Sequence, residues 1–411
     1  MKILLCHNHY QQPGGESESF ASEARLLESR GHEVLQFTRH NNTIHDMDRW
    51  KLAASTIWNR ECGREVSKLI ALHKPDVLHC TNTFPLISPS VYYAAKAAGV
   101  PVVQSLRNFR PLCVNGYLLR DGKPCEDCVG RLFAWPGILR GCYQESKLHS
   151  AGVGAMQLTH RLLRTWTRAV DIFFTPSEHA RSRFIVGGFP ADRVVVKPNF
   201  IEEDPGVGAG NGGYAFFAGR LAPEKGVQTL LAAWAQLQAP LELQIAGDGP
   251  LAGQVQEASR RDPRIRWLGW LPQREVVRFF SDAACVLVPS LWYETFGRTI
   301  IEAYASGTPA IVSRLGAMAE LVDHGRTGFH FEPGDAADLA AKVDCLYSDS
   351  QRTAQMRVNA RQEYERHYTA EANYHILQNI YARALGRRRI TGPANEGDVM
   401  TNDVSLLPMK P

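Results

Sequence analysis

The chain has 411 residues, of which 44% are hydrophobic and 21% are charged, and its formal net charge is +4. This length predicts two domains with large cores. The mild charge and the lack of a nucleic-acid-binding motif argue against a nucleic-acid partner, although the charge permits a weak attraction to an anionic membrane surface.

The first residues predict the first strand of a domain. His7, Asn8 and His9 interrupt the apolar run of Ile3 to Cys6, and no small-residue cleavage site follows, so we expect no signal peptide. No apolar run reaches the roughly 18 residues that a membrane span needs. Nine cysteines without an export signal indicate a reducing compartment, and we expect a cytoplasmic protein.

Residues 1–200 alternate short apolar runs with helical patterns. This rhythm is typical of an α/β domain, in which helices cover both faces of a parallel sheet. Gly14 and Gly15 follow the first strand and predict at least a turn that requires a positive φ. The strand from Val100 to Leu106 leads into Arg107, Asn108 and Arg110.

A cysteine-rich insert covers about residues 110–145. Cys125 and Cys128 form a C-x2-C pair, and Cys113 and Cys142 flank it at comparable distances. Four cysteines in a segment rich in Gly, Pro and Asp predict a closed structural zinc site, since the insert has few apolar residues with which to fold. The alternatives are reduced thiols or, in an oxidising compartment, two disulfides.

The stretch from His160 to Arg168 is basic, with Leu162, Leu163 and Trp166 interleaved. Such a stretch suits the surface of a membrane. We favour the simpler interpretation, a helix that packs on the core and exposes a basic face.

Residues 201–213 contain five glycines and predict a linker. The strand and helix rhythm then resumes, which predicts a second α/β domain over 214–363 and a ligand cleft between the two domains. Arg387 to Pro411 has no amphipathic run, and we expect disorder there.

Two turns of the second domain carry residues suited to a nucleotide. Gly219 and Arg220 follow its first strand, and Lys225 lies five residues further, so two cations flank a turn that could hold a diphosphate. Gly247 and Gly249 end the next strand and allow a close approach of the backbone to a ligand, although a plain tight turn is equally compatible.

The stretch from Pro289 to Gly307 is the most informative. It predicts a buried strand, then a loop with Glu294, Phe296 and Gly297, then a helix from Arg298 that contains Glu302. Backbone N–H groups at a helix N-terminus attract a diphosphate. Carboxylates accept hydrogen bonds from the hydroxyl groups of a sugar or ribose. One unit could therefore hold both ends of a nucleotide sugar.

These motifs together resemble glycosyltransferase family 4, whose members retain anomeric configuration and have the GT-B fold. The segment from Glu294 to Glu302 is similar to the family's E-x7-E signature, and Gly219 to Gly226 to its G-R-x4-K-G element. A subset of the family has a similar cysteine-rich insert. The resemblance covers most of residues 1–385, and it is stronger in the second domain.

The resemblance implies a role for each donor-side residue. Arg220 and Lys225 would hold the pyrophosphate, Glu302 the ribose, and Glu294 with the Phe296–Gly297 backbone the donor sugar. The other donor-side residues would line the donor site: Gly14, Gly15, Gly219, Gly247, Gly249 and Arg298. No metal ion or other cofactor would be required for catalysis, because the cations and the helix N-terminus replace it.

The resemblance also has one departure. Many relatives have His at the position of Arg107, and an Arg cannot act as a neutral acid or base. Arg107, Asn108 and Arg110 are therefore candidates for the acceptor side, where Arg107 could pair with a phosphate or an acidic acceptor. The family fold further implies that a helix over 364–386 crosses back to the first domain.

The sequence thus predicts a retaining hexosyltransferase with a nucleotide-diphosphate-sugar donor. Its acceptor would be a glycan or a lipid-linked sugar, in surface polysaccharide or glycoconjugate synthesis, at the inner face of the membrane. The alternatives are a non-catalytic scaffold that binds nucleotide or glycan and an enzyme similar to sugar-nucleotide epimerases on the same fold.

Overall fold

The computed structural model describes residues 1–11 and 14–391. The strands of the first domain are β1 (Lys2–His9), β2 (Glu33–His40), β3 (Val77–Asn82), β4 (Val102–Ser105), β5 (Leu119–Arg120), β6 (Lys123–Pro124), β7 (Ile172–Thr175) and β8 (Val194–Val196). β5 and β6 form a short antiparallel hairpin within the insert. The other six form one parallel sheet in the order β2-β1-β3-β4-β7-β8.

Helices cover both faces of this sheet. They are α1 (Gly15–Ser29), α2 (Arg49–Ile57), α3 (Arg60–His73), α4 (Ser90–Ala97), α5 (Trp135–Leu139), α6 (Lys147–Leu162), α7 (Thr165–Arg168) and α8 (Glu178–Val186). Leu4 and Leu78 face one core and Ile3 and Val77 face the other, because successive side chains of a strand point to opposite faces. Both sets are fully buried, as expected for a parallel sheet.

The second domain has its own six-stranded parallel sheet. Its strands are β9 (Tyr214–Ala218), β10 (Glu242–Ala246), β11 (Ile265–Gly269), β12 (Cys285–Val288), β13 (Ala310–Ser313) and β14 (Gly328–Phe331). Their order is β11-β10-β9-β12-β13-β14, so the strand order reverses between β9 and β12. Ligands of such sheets bind at the carboxyl ends of the strands beside this reversal.

The helices of the second domain lie on both faces of its sheet. They are α9 (Val227–Trp234), α10 (Ala252–Arg261), α11 (Gln273–Asp282), α12 (Arg298–Ala305), α13 (Gly316–Leu321) and α14 (Ala336–Ser348). One core surrounds Trp234 and the other surrounds Tyr304, and both side chains are fully buried.

Two helices follow where the sequence predicts one that crosses back from Tyr364. They are α15 (Ser350–His367) and α16 (Ala370–Thr391). Tyr364 belongs to α15, and its side chain packs in the core of the second domain. The crossing helix is α16, because Leu377, Ile380 and Tyr381 lie in the core of the first domain together with Ile3 and Leu5 of β1.

The predicted linker lies along the second domain. The backbone N–H groups of Gly208, Gly210 and Gly212 donate to carbonyl oxygens of Ser306, Ser281 and Asp282. Helix α16 continues to Thr391, inside the segment predicted to be disordered from Arg387, and the rest of that prediction concerns 392–411, which lie outside the described residues. None of the helices in the described ranges could cross a lipid bilayer.

Candidate active site

The loop after β12 places a carboxylate beside the loop after β9. Lys225 Nζ lies 2.8 Å from Glu294 Oε1, and Ser290 Oγ donates to the same oxygen at 2.5 Å. Burial by itself would raise the pKa of Glu294, but Lys225 outweighs it and the pKa is lowered. The sequence-predicted donor residues Lys225 and Glu294 are therefore in contact, with Glu294 ionised at neutral pH.

The turn that holds Lys225 is fixed against the end of β12. The Leu291 N–H donates to the Glu224 carbonyl at 2.8 Å, and a Cβ on Gly226 would lie 1.8 Å from the Pro289 carbonyl oxygen. Arg220, at the start of the same turn, is exposed. The two predicted cations thus differ: Lys225 is held by Glu294, whereas Arg220 extends into solvent beside the same strand ends.

The glycine turns after β9 and β10 pack directly on each other. A Cβ on Gly247, whose φ is +142°, would lie 1.9 Å from the Gly219 carbonyl oxygen, and one on Gly249 would lie 2.6 Å from the Leu221 carbonyl oxygen. Neither contact tolerates a side chain. Glycine is therefore required at both positions for the two turns to pack, and a role of Gly247 and Gly249 in donor binding stays a prediction.

Helix α12 begins four residues after Glu294, without a side-chain cap. Its N-cap is Gly297, with a φ of +115°. Phe296 is buried in the core of the second domain and anchors the loop. The uncapped N-terminus carries the positive end of the helix dipole and faces the same strand ends as Lys225.

Glu302 lies one turn further along α12. Its Oε1 accepts from Arg298 Nε at 2.9 Å and from Gln273 Nε2 at 3.0 Å. Burial raises the pKa of this carboxyl despite Arg298, and Glu18, in the first turn of α1, raises it further. Helix α1 also lies close to the start of α12, because Ser22 and Arg298 line the same small cavity.

Gly14 and Gly15 stand at the start of that same helix. Gly14 is the N-cap of α1 without a side-chain cap, and Gly15 is the first residue of the helix. The turn of positive φ predicted here is wrong, because Gly14 is extended with a φ of −153° and Gly15 is helical. No atom lies within 4 Å of a Cβ built at either glycine. Both are exposed. Ser19, in the second turn of α1, lines a small cavity together with Arg298, so the first turns of α1 lie near the start of α12, although residues 12–13 lie outside the described ranges.

Arg107 is part of a buried charge network in the first domain. Its Nη2 lies 2.7 Å from Glu23 Oε1, its Nη1 donates to Asn199, and its side chain is 5% exposed. Lys197 Nζ approaches the same Glu23 oxygen at 2.5 Å. Arg107 is thus paired within the protein, rather than offered as a free cation to an acidic acceptor.

Asn108 and Arg110 hold the adjoining loop. The Asn108 amide donates to Glu16 at 3.2 and 3.3 Å. The Arg110 guanidinium lies 4.7 Å from the ring centres of both Phe84 and Tyr143 and donates to the Val114 carbonyl. The Thr295 hydroxyl of the donor loop donates to the Arg107 carbonyl at 3.0 Å, so this segment borders the cleft.

The insert reaches the donor loop of the second domain. The ring of Tyr117 stands edge-on to that of Trp292, with 5.2 Å between the centroids, and Trp292 also lies 5.5 Å from Lys225 Nζ. Glu126 of the C-x2-C turn pairs with Arg183 at 2.7 Å. The insert therefore forms one wall of the cleft beside the Lys225–Glu294 pair.

The four insert cysteines lie near one another as free thiols. Burial, together with the neighbouring Cys113, Cys142 and Cys125, raises the pKa of Cys128 to about 11. The Cys113 thiol donates to Asn115 Oδ1. Over residues 1–11 and 14–391 no group of three or more potential ligand side chains is arranged to hold a metal ion. These thiols do not fit a metal ion as placed, and structural zinc stays a prediction.

The basic stretch from His160 to Arg168 divides between core and surface. His160 Nε2 donates to the Ile57 carbonyl at 2.9 Å, and its Nδ1 lies 3.0 Å from the Thr165 hydroxyl. Trp166 stacks on Phe189. Leu162 is 65% exposed. The helix predicted there is broken at Arg164, whose φ is +52°.

Sequence reasoning missed several residues of the site. Glu23, Lys197 and Asn199 surround Arg107, and Gln273 and Ser290 bind the two signature carboxylates. A Lys directly after an apolar strand, as in β8, was the available signal for Lys197. The others come from distant positions in the chain, and no local pattern marks them.

Two parallel sheets with the site residues at the strand ends of the second define a GT-B glycosyltransferase. Residues 14–199 match the family described as "Glycosyl transferase 4-like domain", and residues 213–349 match "Glycosyl transferases group 1". The chain belongs to the family-4-like glycosyltransferases of the GT-B fold.

Individual relatives agree with this family. Over 93% of the chain, it is 24% identical to sulfoquinovosyl transferase SQD2 of Arabidopsis thaliana and covers 74% of that protein. It is 35% identical to glycogen synthase of Mycobacterium tuberculosis, over 35% of the chain and 36% of that protein.

Solved structures share the fold. HepE of Anabaena, in complex with UDP, has a TM-score of 0.65 and 20% identity, over 93% of this chain and all of that chain. Sucrose-phosphate synthase of Thermosynechococcus elongatus has a TM-score of 0.69 and 18% identity, over 94% and 99% of the two chains.

Proposed function

We propose that this glycosyltransferase takes its sugar from a nucleotide-diphosphate sugar and transfers it with retention to a glycan or lipid-linked acceptor. The observation that carries the proposal is the contact of Lys225 with Glu294 beside the uncapped N-terminus of α12. Cations and a free helix N-terminus attract a diphosphate, and the ionised carboxylate accepts hydrogen bonds from sugar hydroxyls.

In this proposal each donor-side residue has one task. Arg220 and Lys225 neutralise the diphosphate, both before and during its departure. Glu302, held by Arg298 and Gln273, accepts from the ribose hydroxyls. The bond from the anomeric carbon to the diphosphate breaks and the bond to the acceptor oxygen forms on the same face. The acceptor proton passes to the departing phosphate oxygen, so the site needs no base at Arg107.

The nucleotide is tested by ligand stabilisation. The melting temperature of the purified protein is measured with UDP, GDP, ADP or dTDP, with UDP first because the HepE structures contain UDP and UDP-glucose. A ligand that binds only the folded state raises the melting temperature. We expect one nucleotide to do so, and Glu302→Ala to reduce the rise.

The matched control is Glu257→Ala, which removes a half-exposed Glu on α10 and should leave the rise unchanged. Retention is then read from the anomeric configuration of the product by NMR. If no nucleotide stabilises the folded protein, the proposal fails and the non-catalytic scaffold gains support. A product of inverted configuration would contradict the retaining mechanism but not the nucleotide-sugar donor.

A further inference from the structure

Exposed apolar side chains of the first domain are concentrated around the insert. Seven of the sixteen exposed large hydrophobic residues of the described chain fall between 132 and 163. Isolated exposed apolar residues are ordinary, but a group of them indicates an interaction site. The docking face is defined by six of the seven: Leu132, Phe133, Trp135, Leu139, Leu148 and Leu162, each between 42% and 69% exposed.

Helices α5 and α6, which carry or adjoin these residues, pack against each other. A Cβ on Gly154 of α6 would lie 2.6 Å from Ile138 of α5 and 3.7 Å from the ring of Phe133, so the two helices pack closely. Trp135 and Leu139 are four residues apart on α5 and share one helix face. Leu139 is 61% exposed and Trp135 is 49% exposed, with the Arg131 guanidinium 5.5 Å from its ring centre.

The same segment has a net positive charge larger than that of the whole chain. Residues 131–168 contain six Lys or Arg and one acidic residue, a net charge of +5, whereas the whole chain has +4. Arg140 pairs with Asp127. The other five cations, within the described chain, make no salt bridge, and these are Arg131, Lys147, Arg161, Arg164 and Arg168.

We propose that the docking face binds the surface of an anionic lipid bilayer, with its Trp, Phe and Leu side chains in the headgroup boundary and its cations on the lipid phosphates. Apolar residues rimmed by Lys and Arg are the composition that binds such surfaces. The insert also lines the cleft through Tyr117. Docking therefore holds the cleft near a lipid-linked acceptor, although the proposal does not depend on the transfer chemistry.

The test is co-sedimentation with vesicles of phosphatidylcholine, either alone or mixed with phosphatidylglycerol. We expect the wild-type protein to bind the mixed vesicles and not the neutral ones, and salt to weaken the binding. Trp135→Ser with Leu139→Ser should lower the partition coefficient by about tenfold or more at any salt concentration. Arg164→Gln with Arg168→Gln should lower it chiefly at low salt.

The matched control is Trp270→Ser with Val358→Ser, which removes two exposed apolar side chains from the second domain, 72% and 50% exposed. Circular dichroism verifies that each variant is folded. Equal losses in control and docking-face variants, or no binding of the wild type to mixed vesicles, would overturn the proposal. The nucleotide test above uses no lipid, so the two proposals fail separately.

Discussion

At the scale of single residues, Glu23 is the centre of a buried charge network in the first domain. It is 2% exposed and neutralises two cations, Lys197 and Arg107, that are themselves buried. Their charges lower its pKa to about 2, although burial by itself would raise it. Removal of one partner from such a group leaves an uncompensated buried charge.

We therefore expect Glu23→Gln to lower the free energy of unfolding by about 3–5 kcal/mol at neutral pH. The exposed pair of Arg25 and Glu202 provides the control, since Glu202→Gln should cost about 0–1 kcal/mol. Urea unfolding of both variants measures the difference. Equal effects would mean that the buried network contributes no more than a surface pair.

The same network sets the acid stability of the protein. The pKa of Glu23 is lowered from 4.5 to about 2, so its contribution is present above pH 4.5 and is lost as the pH falls towards 2. Burial lowers the pKa of His79 from 6.5 to about 4 and that of His7 to about 3. The unfolded chain therefore binds more protons than the folded chain from pH 6.5 downwards.

We expect the free energy of unfolding to fall as the pH is lowered below 6.5, and to fall further below 4.5. Urea unfolding along this pH series measures the curve. His79→Gln should flatten it between pH 6.5 and 4, where only the unfolded wild-type His79 is protonated. A curve that is the same in this variant would contradict the assignment.

At the scale of elements, two glycines of the second domain differ in whether their position requires glycine. Gly247 meets the Gly219 carbonyl oxygen at a distance that no Cβ tolerates, whereas Gly253 on α10 has open space around it. The sequence predicts a turn at Gly247, but the partner that makes glycine obligatory comes from another strand end.

Gly247→Ala should destabilise the second domain by about 1–3 kcal/mol through overpacking, and strain at its positive φ adds to this. Gly253→Ala should be neutral or stabilising by up to about 1 kcal/mol, because Ala favours a helix. Thermal unfolding of both variants measures this difference. A stable Gly247→Ala protein would show that the two turns can separate.

The cysteine-rich insert shows what a local sequence pattern can and cannot predict. Its C-x2-C turn predicts a compact, stapled unit, but the four thiols are not arranged as metal ligands among the described residues. What holds the insert in place is instead contact with other elements: the Glu126–Arg183 pair and the Tyr117–Trp292 rings. No sequence pattern indicates these contacts, because their partners lie far along the chain.

At the scale of the whole molecule, helix α16, which follows the second domain, packs against the first strand of the first domain. Leu377 and Ile380 of α16 pack against Ile3 and Leu5 of β1, and Tyr381 donates or accepts a hydrogen bond with His79 at 2.9 Å. The first domain is thus covered on one face by residues that follow the second domain. Removal of either β1 or α16 would expose this core to solvent.

Leu377→Ala should lower the free energy of unfolding by about 2–5 kcal/mol, because Leu377 is fully buried. Leu72→Ala is the control, since Leu72 lies on α3 of the same domain and is 74% exposed. Hydrogen exchange of β1 amides should rise in the first variant only. Unchanged exchange there would show that β1 is stable without α16.

The sequence by itself determined the two parallel sheets, the order of the strands along the chain and the donor-side motifs, because each depends on residues close together in the chain. Only the tertiary structure decided the partners: Glu23 for Arg107, Gln273 for Glu302, the insert for the donor loop. Burial next to a charge, and packing at an ångström scale, depend on side chains that the fold brings together from distant positions. A local sequence pattern therefore does not reveal which distant side chains will be in contact.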